Sequence, residues 1–273
     1  MLHAGAVDCP LDDISAISKL NKLRVLKISH YEKGNLADLS ELVNIQDLSV
    51  RSSNVNNIDF LSKLNNLESL DLSNNNIIDI SMLSNKTKLK RVSLENNKIF
   101  DLSPIANLTA VTFLNLSNND IEDVSNIRNH INLTTLILNK NNISDISGLK
   151  MLKKLRILGL EDNNIEDVSA VAFLTSLETL GLGGNKISDV SQLKDLRLTE
   201  LYITDNNIRD ITMLDLSNTK ILYAEGNSLD ADSLAILYDF NEREKAIREN
   251  STGDTALNEL RRNILNNRLN KMD

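Results

Sequence analysis

The pattern LxxLxLxxN recurs in this chain with its first apolar position at Leu23, Ile45, Leu67, Leu89, Val111, Leu133, Leu155 and Leu177, an unbroken spacing of 22. Two further copies start at Leu198 and Thr219, each one position short of that spacing. A fixed period of about 20–50 residues decides an architecture outright, because each unit can bury its apolar face only against its neighbours. Reading back one period from Leu23 puts Met1, Ala4 and Ala6 in the apolar slots of a truncated leading copy, with Cys9 in the Asn slot.

Within one copy, Leu70 and Leu72 are two positions apart, so in an extended strand they point to one side while Ser69, Asp71 and Ser73 point to the other. Stacked copies then form a parallel sheet over a continuous core. Such a core needs aliphatic residues of similar shape, and the chain is 41% hydrophobic with no Trp and only 3% aromatic residues. The Asn column (Asn75, Asn97, Asn119, Asn141, Asn163, Asn185, Asn206, Asn227) falls where each copy turns inward, so its amides are expected to satisfy turning backbone groups. Tyr31 and Ser53 interrupt it, which predicts less regular first turns. A second column (Asp79, Asp101, Asp123, Asp145, Asp167, Asp189, Asp210) precedes Ile-Ser or its equivalent. Stacked carboxylates raise the question of calcium, but an acid ahead of a short helical turn reads better as an N-cap.

From Ser228 the pattern stops. The segment "DADSLAILYDFNEREKAIREN" predicts a helix capped by Asp230 or Asp232, with Leu234, Leu237, Tyr238 and Ile247 on or near one face, and Leu257, Leu260, Ile264 and Leu269 predict a second. A solenoid's last edge needs covering, so the first helix reads as a cap. The expected architecture is an α/β repeat solenoid over 1–227, with a curved parallel sheet on the concave side and short helical or 3-10 turns on the convex side. A two-helix cap or extension is expected over 228–273.

Each copy continues as NxIxDIS and a further apolar residue, as in "NNNIIDISML" from Asn74 and "NNISDISGL" from Asn141. This resembles the leucine-rich repeat. The form of the repeat, best seen in "DLSPIANLTAVTFLNLSNNDIEDVS" from Asp101, is most similar to the internalins, bacterial host-binding proteins; the likeness covers about residues 9–227. It implies a protein-recognition scaffold. The regulatory subunit of protein phosphatase 1 shares the period and gives an alternative, a regulator within an enzyme complex; a third reading is the leucine-rich half of a larger enzyme. The opening "MLHAGAVDCP" lacks a basic and apolar leader pattern and the family's wall-anchoring sequence is not found. The expected location is cytoplasmic, or outside the cell by export without a conventional signal peptide.

Catalytic and cofactor signals fail one by one. "LGLGGNKIS" holds Gly181 and Gly183, but Lys186 stands where a dinucleotide fingerprint needs its third glycine, and no glycine has P-loop spacing. A net charge of -8 opposes a nucleic-acid partner. No stretch of the chain is apolar for long enough to read as a membrane span. The single cysteine, Cys9, excludes an internal disulfide and a Cys-rich metal site. Of the three histidines, His130 stands in a slot filled elsewhere by Leu64, Leu108 and Leu152 and reads as a tolerated convex-side substitution. We therefore expect no enzyme, cofactor or metal.

The outward strand positions carry the functional information. They become acidic from Leu155 onward, with Glu161, Asp162, Glu178, Glu200, Asp205 and Glu225 against Arg156 and Lys220. Phe113, Ile137 and Ile157 form an apolar track, and Tyr202 and Tyr223 neighbour each other in adjacent copies. Gly159, Gly181 and Gly183 read as a bare strip between them, a notch for a partner's chain. These residues, with Glu161, Glu200 and Glu225, form the expected partner site of a monomer that binds a protein bearing a basic patch.

Overall fold

A computed structural model describes residues 2–4, 14–31 and 36–250. Eleven parallel strands form one sheet in chain order. They are β1 (Leu2–Ala4), β2 (Val25–Ser29), β3 (Asp47–Arg51), β4 (Ser69–Asp71), β5 (Arg91–Ser93), β6 (Phe113–Asn115), β7 (Thr135–Ile137), β8 (Ile157–Gly159), β9 (Thr179–Gly181), β10 (Glu200–Tyr202) and β11 (Ile221–Tyr223). Up to β10 each copy returns through a 3-10 turn such as Ser81–Leu83 or Ser103–Ile105, because so short a repeat leaves no room for a longer crossover; between β10 and β11 the chain makes only plain turns. The molecule is a leucine-rich repeat solenoid. Its register sets Asp71, Ser93, Asn115, Ile137, Gly159, Gly181, Tyr202 and Tyr223 side by side, one per strand, as the spacing requires.

The leading copy departs from this register. Leu2 and Ala4 pair with Leu26 and Ile28, two positions further along than the repeat spacing, which put Ala4 and Ala6 there. An even slip keeps the same face inward, so the alternation alone does not distinguish the two registers. Cys9 lies outside the described residues.

The Asn ladder holds the turns together. Asn97 Nδ2 donates to the carbonyls of Leu72, Leu94 and Glu95 at 3.0–3.2 Å, and its Oδ1 accepts the Ile77 amide at 3.0 Å. One buried side chain thus satisfies its own turn and the copy before it, where an unpaired buried group costs about 1–3 kcal/mol. Ser53 does part of this work: its hydroxyl accepts the Tyr31 amide at 3.1 Å and donates to Arg51 O at 2.7 Å. In these first turns β2 and β3 run to five residues instead of three.

One position before the ladder, the chain turns with positive φ. Asn74, Asn96, Asn118, Lys140, Asp162, Gly184, Asp205 and Gly226 have φ between 51° and 74°. Asn, Asp and Gly tolerate this conformation best, which explains the column's composition and assigns Gly184 to the turn. Along it Asn118 donates to Asn96 and Asn96 to Asn74, both at 2.7 Å, making a second, outer amide ladder.

The Asp column sits one residue earlier than an N-cap. Asp145 accepts the Ser147 amide at 2.7 Å and Asp189 that of Ser191 at 2.8 Å, an i to i+2 turn closed ahead of each 3-10 segment. The backbone N–H bonds at Ser147 and Ser191 hold both carboxyls below their ordinary range.

His130 is not on the convex surface. It is fully buried in the leucine column, Nδ1 3.1 Å from Ile127 O and Nε2 without a hydrogen-bond partner. The slot faces the core from Leu42 to Leu196, so its occupant there is buried whatever its polarity. Burial pushes the imidazole pKa below 6.5, with the carbonyls of Ile127 and Ile105 opposing the shift. Lys86 occupies the same column two copies earlier, buried, with Nζ donating to Ser62 O at 3.2 Å and Asn65 Oδ1 at 2.9 Å.

Helix α1 (Ala231–Asn250) follows β11. Asp230 caps it by accepting the Ser233 amide at 2.9 Å. Its packed face is Ser233, Ile236, Leu237 and Phe240, an i, i+3, i+4, i+7 stripe. Of the expected face Leu237 packs inward, but Leu234 and Tyr238 are exposed, because Ser233 docks inward to accept the Ile211 amide at 3.0 Å. Arg243 donates to Thr219 O at 3.1 Å, tying the helix to the last copy. The side chain of Ile247 and the expected second helix fall outside the described residues.

Candidate functional site

Strand alternation places every expected site residue on the concave face. Phe113 and Ile157 share one column with Thr135 between them, and Ile137 belongs to the next. All three are half-buried. The glycine strip is filled from within. A Cβ on Gly159 would lie 2.7 Å from Asn139 Oδ1 and 3.2 Å from Ile137 Cγ2, one on Gly181 3.1 Å from Glu161 Cγ, and one on Gly183 2.8 Å from Thr204 Oγ1. Neighbouring side chains lie over the glycines, which correct the reading of an open notch: they make room for Asn139, Glu161 and Thr204.

Glu161 is the residue this packing perturbs. Burial over Gly181, with Asp162 beside it, pushes its carboxyl above the ordinary range, while Oε2 accepts Asn139 Nδ2 at 2.9 Å. The tyrosines divide their roles. Tyr202 is 9% exposed and stacks on Tyr223 with ring centroids 5.5 Å apart and planes at 24°. Its hydroxyl donates to Glu200 Oε2 at 3.4 Å, and burial together with Glu200 raises its phenol far above the ordinary value. Tyr223 is 44% exposed because β11 is the last strand of the sheet. Tyr202 supports the stack from within and Tyr223 presents the exposed ring. Arg156 neutralises Glu178 through two bonds of 2.7 and 2.8 Å, whereas Glu161, Glu200 and Glu225 have no ion pair among the described residues.

A second concavity lies in the other half, at residues not assigned to the site from sequence. A trough of about 640 Å³ crosses β2 to β6, lined by Lys27, Asp47, Arg51, Asp71 and Arg91, by Ser29, Ser49, Ser69 and Ser93, and by Phe113 at its edge. Arg91 stacks over the Phe113 ring at 4.3 Å, and Arg51 lies 3.6 Å from Asp71. The sequence carries a signal for it, since Arg91 and Phe113 are adjacent in one column.

Leucine-rich repeat family profiles match residues 66–85, 107–125, 131–173 and 153–208. No curated protein matches the chain. Among solved structures, an internalin (InlF) of Listeria monocytogenes is 31% identical with a TM-score of 0.78, over 83% of this chain and 68% of that one. The chain belongs to the internalin family. Internalin C2 of the same organism is 32% identical with a TM-score of 0.61, over 72% of this chain and 88% of that one. A plant peptide hormone receptor, RGFR1, in complex with RGF2, is 20% identical with a TM-score of 0.64, over 84% of this chain and 38% of that one; this likeness concerns the fold alone. Among the described residues of this internalin, no helix is long and apolar enough to cross a membrane, and no group of three or more acids, histidines or cysteines is arranged to hold a metal ion.

Proposed function

We propose that this internalin is a non-catalytic recognition scaffold whose concave face, in its C-terminal half, captures a protein partner through a basic patch. The observation that carries the reading is Tyr223: an exposed aromatic ring seated on the buried Tyr202, which Glu200 and Glu161 approach, with Glu225 two residues further along its own strand direction; none of these acids is ion-paired among the described residues. Aromatic anchors dominate interface energetics, and free acids around one attract lysine or arginine to its ring. Ile137 and Ile157 extend the contact toward the middle of the sheet as far as Phe113, which Arg91 covers, and Gly159, Gly181 and Gly183 give Asn139, Glu161 and Thr204 room to lie along it. The family relationship supports a host protein as that partner.

The test is affinity capture from host and bacterial lysates on immobilised protein, read by mass spectrometry, beside a Tyr223→Ala column. The variant loses the specific partner, the wild-type complex weakens as salt rises, and the variant's thermal unfolding matches wild type because Tyr223 lies outside the core. Undiminished capture by Tyr223→Ala overturns the site. Tyr202→Ala is the wrong probe, since it removes a buried side chain and disturbs the fold as well.

A further inference from the structure

The trough across β2–β6 differs in chemistry from the surface assigned to a protein partner. Its rim alternates in sign: Lys27, Arg51 and Arg91 against Asp47 and Asp71. Four serine hydroxyls stand between these charges, and Lys27, Asp47 and Arg91 have no ion-pair partner among the described residues. The Arg91 guanidinium lies over the Phe113 ring, 4.3 Å from its centroid, and carries N–H donors for a ligand in the trough. Asp71 accepts the Ser73 hydroxyl at 2.7 Å and the Ser73 amide at 3.1 Å.

Each partner class can be weighed against this lining. A polyanion meets Asp47 and Asp71, and a polycation meets Lys27 and Arg91. A protein hot spot needs an aromatic or aliphatic anchor pocket, and here the one aromatic, Phe113, is covered by an arginine. A neutral chain dense in hydroxyls suits the site: each hydroxyl both donates and accepts, so it bonds to carboxylate, guanidinium and serine alike, and bonds to charged groups are the stronger kind. The volume is that of a small-ligand site. We propose that the trough binds a neutral oligosaccharide, with Asp47 and Asp71 accepting from its hydroxyls and Arg51 and Arg91 donating to them.

The test uses the labelled, intact chain on an array of neutral, sialylated and sulfated glycans, followed by calorimetry with the best neutral oligosaccharide. Neutral glycans are retained, and Asp47→Ala and Arg91→Ala each weaken binding roughly tenfold, the loss of one charge-assisted bond. Both variants keep the wild-type unfolding midpoint, as both side chains face outward. Tyr223→Ala leaves glycan binding unchanged, so this site and the protein site fail independently. Binding confined to sulfated or sialylated glycans overturns the proposal in favour of a cation patch. It also falls if no glycan binds, if neutral binding survives both variants, or if Arg91→Ala abolishes capture of a protein partner instead.

Discussion

The two halves of the concave face share one backbone and one ladder yet present opposite surfaces. Across β2–β6 the outward residues balance in charge and line a trough; across β8–β11 they are acidic and end in a tyrosine stack. The inward residues barely differ: Leu48, Leu70, Val92, Leu158, Leu180 and Leu201 are all buried. In a strand the two faces are uncoupled by alternation, so the core fixes one set of positions and leaves the other free to vary. The contrast shows which residues the fold needs and which it merely displays.

The claim of a shared frame is the most exposed to failure. Asn185 repeats the bonds of Asn97, donating to Leu160, Leu182 and Gly183 at 2.9–3.2 Å and accepting from Ile165 at 3.0 Å. Asn97→Ala and Asn185→Ala are each expected to cost about 3 kcal/mol in urea unfolding, from several buried groups left unpaired. Clearly unequal costs would break the equivalence of the halves.

His130 lies in the copy that leads into β7, between the two regions. His130→Leu restores the column's residue and is expected to stabilise by about 1–3 kcal/mol at neutral pH, the cost of a buried unpaired nitrogen. The gain grows with acid. The folded state disfavours the imidazolium, so as pH falls below 6.5 the unfolded chain takes up a proton that the folded one resists, and wild type loses stability that the variant keeps. Thermal unfolding from pH 8 to 5 reads this directly.

Smaller effects sharpen the picture. Lys140→Asn puts a residue that tolerates φ of 56° at the joint and next in line on the outer amide ladder, for a gain of about 0.5–1 kcal/mol in denaturant midpoint. Last, Glu161→Gln and Asp71→Asn are expected to act in opposite directions at pH 7. Burial raises the Glu161 pKa, so its charged form weakens the fold above that pKa. Gln removes the penalty, and the difference vanishes below about pH 4.5, where unfolded glutamate also holds its proton. Asp71 lies in bonds to Ser73 and beside Arg51, and Asn gives up part of them. Paired melting curves for the two variants show whether the acidic half carries its charge at the fold's expense and the trough does not.

Some of this was legible from spacing. A fixed period with an internal alternation of two specifies strand order, register and the three concave columns, because identical units stack only in register. The ladder amides follow from residue type alone, whereas the positive-φ column, which holds Lys140 beside Asn, Asp and Gly, shows only in the backbone. Burial within a column was not legible. Tyr202 and Tyr223 occupy equivalent positions, but one has a strand on either side and the other closes the sheet. The glycine strip looked bare because a glycine says nothing about its neighbours' side chains, and Glu161, Asn139 and Thr204 lie across it. His130 looked like a convex surface substitution until its slot proved to face the core.

The sequence by itself therefore determined a leucine-rich solenoid, its register from β2 onward and the identity of every displayed side chain, since these depend on period and alternation. Only the tertiary structure decided which displayed residues are reachable, where a trough opens, which face of α1 docks and where the leading strand pairs. Those depend on the size and polarity of whatever stands in the adjoining copy, and contacts between copies are made in three dimensions.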